Sequence, residues 1–173
     1  MKEYTVKLRR WNLDDVSALA ALLNNKNILN NLRDGIPYPY SEHDAKEFIT
    51  EMQNADHNKT FAFAIVANDK LAGSIAAFRQ NNIHFRTAEL GYYIGQSYWG
   101  KGIASSAVRQ ICGFLFETTD LLRIFAEPFA DNAASCRVLE KNGFQYEGTL
   151  KSNGVKNETV VDMKMYALIK KNS

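Results

Sequence analysis

Apolar and polar residues change period several times along the chain, and each change marks an element. Tyr4, Val6 and Leu8 alternate with Thr5, Lys7 and Arg9, the two-residue period of a half-buried strand. Leu13, Val16, Leu19, Ala20 and Leu23 then recur at helical spacing, with Asn12 and Asp15 at the helix start and Asn24-Asn25 near its end. Between Ile28 and Tyr40, Gly35, Pro37 and Pro39 forbid a long helix, so a loop with aromatic content is expected. Ser41 and Asp44 have capping-box spacing ahead of a helix carrying Ala45, Phe48, Ile49 and Met52 on one face, ending near His57-Asn58. Phe61, Phe63 and Ile65 alternate with Ala62, Ala64 and Val66, and Asn68-Asp69 turns the chain into Leu71 to Phe78, which reads as an antiparallel hairpin.

The stretch from Thr87 to Gly95 places Glu89, Gly91, Tyr93 and Gly95 on one strand face and Leu90, Tyr92 and Ile94 on the other. Glu89 is thus presented beside glycines rather than among leucines. After Gly100 and Gly102, Ala104, Ala107, Val108, Ile111, Cys112 and Leu115 repeat at helical spacing. Leu121 to Ala126 is a short apolar strand, expected to lie parallel to its predecessor through a right-handed crossover. Asp131-Asn132 opens another helix, with Val138 and Leu139 inward and Gly143 closing it. Two last strands, Phe144 to Leu150 and Thr159 to Leu168, are joined by a polar loop containing Asn153-Gly154 and Asn157.

A chain of 173 residues suits a single domain, here 1–173, with a core that needs neither disulfides nor metal. The 21 basic and 19 acidic residues leave a net charge of +2, which argues against a nucleic-acid face or an anionic membrane as partner. Cys112 and Cys136 form no spaced framework and fall at helix positions, so buried free thiols are expected, as suits a reducing cytoplasm. His43, His57 and His84 share no ligand spacing, which points away from a metal. The N-terminus lacks an apolar core of signal-peptide length and no run of 18 apolar residues occurs, so a soluble, cytoplasmic protein is expected.

The strand, glycine turn and helix around Gly100 and Gly102 form the pattern of an anion site. Glycines admit a tight turn, backbone N–H groups from about Lys101 to Ser105 converge as the helix begins, and the helix dipole favours negative charge there. Gly100-x-Gly102-x-x-Ser105 is also a degraded dinucleotide fingerprint, with Glu127 available as a ribose acid. That competing reading requires a parallel sheet from the first strand onward, against the hairpin expected before the turn.

These residues resemble the GNAT N-acetyltransferases, in the branch of ribosomal-protein N-terminal acetyltransferases of the RimJ/RimL type. Its carriers are Glu89-Leu-Gly-Tyr-Tyr-Ile94, Tyr98-Trp-Gly-Lys-Gly-Ile-Ala104, Asn132-Ala-Ala-Ser135 and Val138-Leu-Glu-Lys-Asn-Gly-Phe144, in the family's order and spacing over nearly the whole chain. Ser97 stands where the family's phosphate loop often has Gln or Arg. The resemblance implies an α/β (α+β) GNAT fold: a mixed, mostly antiparallel sheet of about seven strands flanked by helices, splayed between the fourth and fifth. It implies acetyl-CoA as cosubstrate without a metal. The diphosphate would lie on the amides of Lys101, Gly102, Ile103, Ala104 and Ser105, with the Lys101 side chain adding a charge, and pantetheine on the backbone of Tyr93 and Ile94. Asn132 would contact CoA, although Asn is also a favoured helix cap.

An amine must be neutral to attack a thioester and is largely or partly protonated at neutral pH, so some group must take a proton. Glu89, on the glycine-bearing face, is the expected general base, directly or through water. The resemblance offers Ser135 as proton donor to the departing thiolate. It also implies that the loop containing Arg33, Tyr38 and Tyr40 and the hairpin loop Ser152 to Glu158 wall an acceptor pocket. A peptide or protein N-terminal α-amine, a lysine side chain, a polyamine and an aminoglycoside all remain open as acceptors. The alternative is a non-catalytic acyl-CoA-binding or sensor module; a homodimer rests on the family alone.

Overall fold

The computed structural model describes residues 3–171. Seven strands form one sheet: β1 (Val6–Arg9), β2 (Thr60–Ala67), β3 (Lys70–Arg79), β4 (Thr87–Ile94), β5 (Arg123–Ala126), β6 (Gln145–Lys156) and β7 (Thr159–Ile169). Their order across the sheet is β1-β2-β3-β4-β5-β7-β6. Every neighbouring pair is antiparallel except β4 and β5, which run parallel. Helices α1 (Val16–Leu23), α2 (Lys26–Leu29) and α3 (Glu42–Asn54) pack on one face; α4 (Ile103–Thr118) and α5 (Ala133–Lys141) pack on the other. No helix among the described residues is long and apolar enough to cross a membrane.

Helices on both faces explain why β2 buries nearly every side chain instead of one in two. Ala62 and Ala64 meet Leu19, Leu23, Ala45 and Ile49 on the α1–α3 side. Phe61 and Ile65 join Ile111, Leu115 and Ile124 on the α4 side. Each fully buried Ile or Leu contributes about 1.5–3 kcal/mol from apolar burial.

The helix starts are where local chemistry predicts them. Ser41 and Asp44 exchange capping bonds at the start of α3, and Asn132 Oδ1 accepts from the Ser135 N–H at the start of α5. Asn12 and Asp15 also form a reciprocal box, but it caps a 3-10 turn, Leu13–Asp15, and α1 begins only at Val16. Leu13, expected on the buried stripe, is therefore 46% exposed, because the tighter turn rotates it off the helical face. Asn25 caps a one-turn helix, α2, that reaches only the first two residues of the Ile28–Tyr40 stretch, where no long helix was expected. Two further expectations are corrected. Helix α3 stops at Asn54, short of His57-Asn58. Strand β6 runs on to Lys156, so Asn153-Gly154 is a register shift within the strand rather than a turn. The hairpin turns at Asn157-Glu158, both at positive φ, as Asn68-Asp69 does between β2 and β3.

The feature that positions the site is the parting of β4 from β5. They pair only over Thr87–Glu89 and Arg123–Phe125. Beyond that, β4 stays with β3 as far as Ile94, while the chain after β5 follows β7 through Phe129 opposite Met163. The cleft between them opens toward the N-termini of α4 and α5.

Candidate functional site

Gly100 and Gly102 take φ of +71° and +74°, the left-handed region in which a side chain is strained. They bend the chain from β4 so that α4 begins facing the cleft. The first helix-closing bond runs from the Ser106 N–H to the Gly102 carbonyl, which leaves the N–H groups of Ile103, Ala104 and Ser105 without helical partners. This cradle fits an anion by its donors and by the helix dipole.

A cavity of about 390 Å3 lies over that turn. Tyr93, Ile94, Lys101, Gly102, Ile103, Ala104, Ser105 and Asn132 all line it. The Lys101 ammonium, however, is turned back onto the Ser97 carbonyl at 2.5 Å and lies over the Tyr4 and Tyr98 rings. Arg137 and Lys141 of α5 add cationic side chains that the sequence reading left outside the site. Asn142 Nδ2 donates to Ser105 Oγ at 3.1 Å, tying the end of α5 to the start of α4.

The pairing register decides which β4 amides face the cleft. Gly95 N–H donates to the Ala72 carbonyl and Gln80 N–H to the Thr87 carbonyl, so alternate residues between them, including Tyr93, spend their main-chain groups on β3. Tyr92 and Ile94 face the cleft instead, and the Ile94 carbonyl already accepts from Trp99 Nε1 at 2.8 Å. Tyr92, and not Tyr93 as expected, therefore turns its main-chain groups to the cleft. The Tyr93 side chain lies on the α1–α3 side, where burial raises its hydroxyl pKa in spite of a bond to Ser74.

On that side a second cavity, about 540 Å3, is lined by apolar residues such as Leu32, Ile36, Phe48, Met52 and Phe129, together with Glu89 and Glu127. Arg33 Nη2 spans the two carboxylates, 2.5 Å from Glu89 Oε1 and 3.3 Å from Glu127 Oε2. Burial, first, and then the Glu89 charge raise the Glu127 pKa, and Arg33 opposes them only in part. Tyr40 lines the cavity and is buried, its main chain held by both amide atoms of Asn24. Burial, then Asp44, pushes the Tyr40 hydroxyl up to about 12. Tyr38 lies outside the cavity lining, 53% exposed beneath the Lys26 ammonium. Hairpin residues Ser152 to Glu158 do not line the cavity either. They act on its wall from behind: Lys156 Nζ pairs with Asp34 at 2.7 Å and Asn157 with Asn30, clasping the segment that carries Arg33.

The two cavities share Asn31, Leu32, Tyr92, Tyr93, Asn132 and Ser135. At this junction the Tyr92 hydroxyl and Ser135 Oγ are 2.9 Å apart, and burial pushes the tyrosine up to about 12 although the Ser135 bond opposes it. The arrangement joins an anion cradle to an acidic apolar pocket through a pair of hydroxyls. Sequence reasoning missed Tyr92 as a polar group because it stands on the core face of β4. It weighed Glu127 only as a ribose acid; its place at the end of a strand parallel to β4 was the available signal.

Comparison with known proteins agrees with this geometry. The family described as Acetyltransferase (GNAT) domain matches residues 5–145. The probable N-acetyltransferase YjcK of Bacillus subtilis (strain 168) is 32% identical over 133 residues, 75% of this chain and 74% of that protein. The ribosomal-protein-serine acetyltransferase of Escherichia coli (strain K12) is 33% identical over 115 residues, 65% of this chain and 64% of that protein. Among solved structures, RimL, a ribosomal L7/L12 alpha-N-protein acetyltransferase in complex with coenzyme A, superposes with a TM-score of 0.86 at 26% identity, covering 95% of this chain and 94% of that one.

Proposed function

The chain belongs to the GNAT acetyltransferases, in their RimJ/RimL-type branch, and from that premise we propose that it moves an acetyl group from acetyl-CoA to a primary amine by direct attack in a ternary complex, as a single domain. One observation carries the reading: a cavity with a helix N-terminal cradle and a cavity with two carboxylates adjoin and share the walls formed by Tyr92 and Ser135.

Acetyl-CoA supplies the activated acyl group as a thioester. The amides of Ile103, Ala104 and Ser105 hold the diphosphate, and the Tyr92 and Ile94 main chain orients the pantetheine arm along the parted edge of β4. The Tyr92–Ser135 pair delivers a proton toward the departing sulfur. The acceptor enters beneath the Arg33 segment, and the acidic pair Glu89 and Glu127 takes up the proton its nitrogen must lose. An apolar pocket with a net negative pair suits an amine that arrives cationic, such as a peptide N-terminus.

The test is amine-dependent thiol release, with the acceptor panel covering N-terminal peptides, lysine, a polyamine and an aminoglycoside, and the product mass confirming acetylation. Intersecting initial-velocity lines are expected. Tight CoA binding without transfer to any amine would overturn the reading and leave an acyl-CoA-binding module.

A further inference from the structure

The acceptor cavity is walled largely by apolar side chains, Leu32, Ile36, Phe48, Met52 and Phe129 among them, so a charge that enters it must be met by a charge already there. Among the described residues its charged lining consists of Arg33, Asp34, Glu89 and Glu127. Asp34 has a partner outside the lining: its carboxylate, 78% exposed, pairs with Lys156 Nζ at 2.7 Å. That leaves one guanidinium facing two carboxylates. Together the three groups carry a single net negative charge.

Arg33 stands between the two acids. Its Nη2 donates to Glu127 Oε2 at 3.3 Å and lies 2.5 Å from Glu89 Oε1. A guanidinium stays charged throughout the working pH range, so the compensation it provides does not vary with protonation. The chain is anchored on both sides of it: Asn157 Nδ2 donates to Asn30 Oδ1 at 3.2 Å before it, and Asp34 meets Lys156 after it. The Leu32 N–H is also bonded to the Leu29 carbonyl at 3.1 Å. An ammonium entering beside Glu89 and Glu127 therefore finds one uncompensated negative charge. A second ammonium on the same molecule finds none, and meets apolar wall or the guanidinium itself.

We propose that Arg33 is a specificity-determining residue of the acceptor cavity: by neutralising one of its two carboxylates, it restricts the cavity to amines that carry a single positive charge and turns away polyamines. This rests on the acetyl-transfer reading and names the class of acceptor, a monocationic primary amine with a neutral body. Removing the guanidinium leaves two uncompensated carboxylates, a charge that matches a diamine. Specificity here is a count of charges, set by a repulsive element as much as by an attractive one.

Wild type, Arg33→Gln and Arg33→Lys are compared on two acceptors of equal length, a short linear amino alcohol and the corresponding diamine, which differ at the far end in a hydroxyl against an ammonium. The readout is the ratio of kcat/KM for the diamine to that for the amino alcohol. A wall that has merely loosened lowers both values and leaves the ratio alone. Thermal melts and CoA titration confirm that each variant is folded. The wild type should prefer the amino alcohol. Arg33→Gln should raise the ratio about 10-fold or more, while Arg33→Lys, which keeps the charge, should hold it near the wild-type value. An unchanged ratio in Arg33→Gln, a ratio raised equally in Arg33→Lys, or a wild type that prefers the diamine overturns the assignment. If the wild type transfers to no amine, the acetyl-transfer reading fails separately, and calorimetric titration with the same two compounds decides about Arg33. Arg33→Gln should then favour the diamine over the amino alcohol about 10-fold more than the wild type does; an unchanged preference, or no binding of the diamine, overturns the assignment.

Discussion

The Tyr92 hydroxyl lies 2.9 Å from Ser135 Oγ, so a β4 side chain and an α5 side chain meet across the cleft where β4 and β5 part. Burial holds the Tyr92 hydroxyl at about 12, so it stays protonated through the neutral range and can donate. Ser135→Ala should lower kcat about 100-fold and Tyr92→Phe about 10-fold, with KM for acetyl-CoA little changed. The double variant should resemble Ser135→Ala alone, because the two act as one unit. Additive losses in steady-state kinetics would show that they act separately.

Gly102→Ala probes the cradle. A Cβ there would meet nothing within 4 Å, so the expected penalty is conformational, from a φ of +74°. Unfolding free energy should fall by about 1–2 kcal/mol, and CoA affinity should fall with it as the first-turn amides shift. Calorimetric titration beside a denaturant melt separates the two effects; unchanged affinity would remove the turn from the diphosphate site.

Gly73 makes the opposite demand. A Cβ at this position would stand 2.2 Å from the Tyr93 carbonyl oxygen and 3.1 Å from Ile94 Cα. Backbone cannot yield as a side chain can, so Gly73→Ala should destabilise the fold by about 2–3 kcal/mol and displace β4 where it borders the cleft. The denaturant midpoint measures the first effect and KM for acetyl-CoA the second.

The Asp15 carboxylate receives two 2.7 Å bonds from Arg9 and one from the Asn12 N–H. Burial alone would raise its pKa, but these bonds and the Arg9 charge together lower it. With the folded value below the unfolded one of about 3.9, the carboxylate stabilises the fold above that pH, and the contribution is lost as pH falls through the folded value. Asp15→Asn should therefore cost about 2 kcal/mol at neutral pH, and the gap between the two proteins should close in melts taken at increasingly acid pH below about 4.

Cys112 and Cys136 are buried free thiols, as their helix positions suggested, and burial pushes Cys112 up to about 12. Neither should react with an aromatic disulfide reagent until the protein opens. Two equivalents should appear on denaturation, and rapid labelling of the native protein would contradict the packing of α4 and α5 on the sheet.

Most elements were legible because their information is local. The Asn68-Asp69 turn, the Ser41–Asp44 box and the glycines at 100 and 102 each impose a backbone geometry that neighbouring residues cannot override. Errors fell where two local signals competed. Asn153-Gly154 has the composition of a turn, but β7 pairs across it and the bend moves to Asn157-Glu158. Leu13 has the spacing of a buried residue, but the 3-10 turn takes it out of the stripe.

The sequence by itself determined the order of the strands and of the longer helices, the strand, glycine turn and helix pattern, and the family, because periodicity, caps and spaced motifs are properties of neighbours along the chain. Only the tertiary structure decided that Tyr92 rather than Tyr93 offers its main chain to the cleft, that Tyr92 meets Ser135, that Tyr38 stays outside, and that Arg33 bridges Glu89 to Glu127 across residues 94 apart. Those relations depend on sheet register and on where two parallel strands separate, and no window along the chain contains both partners.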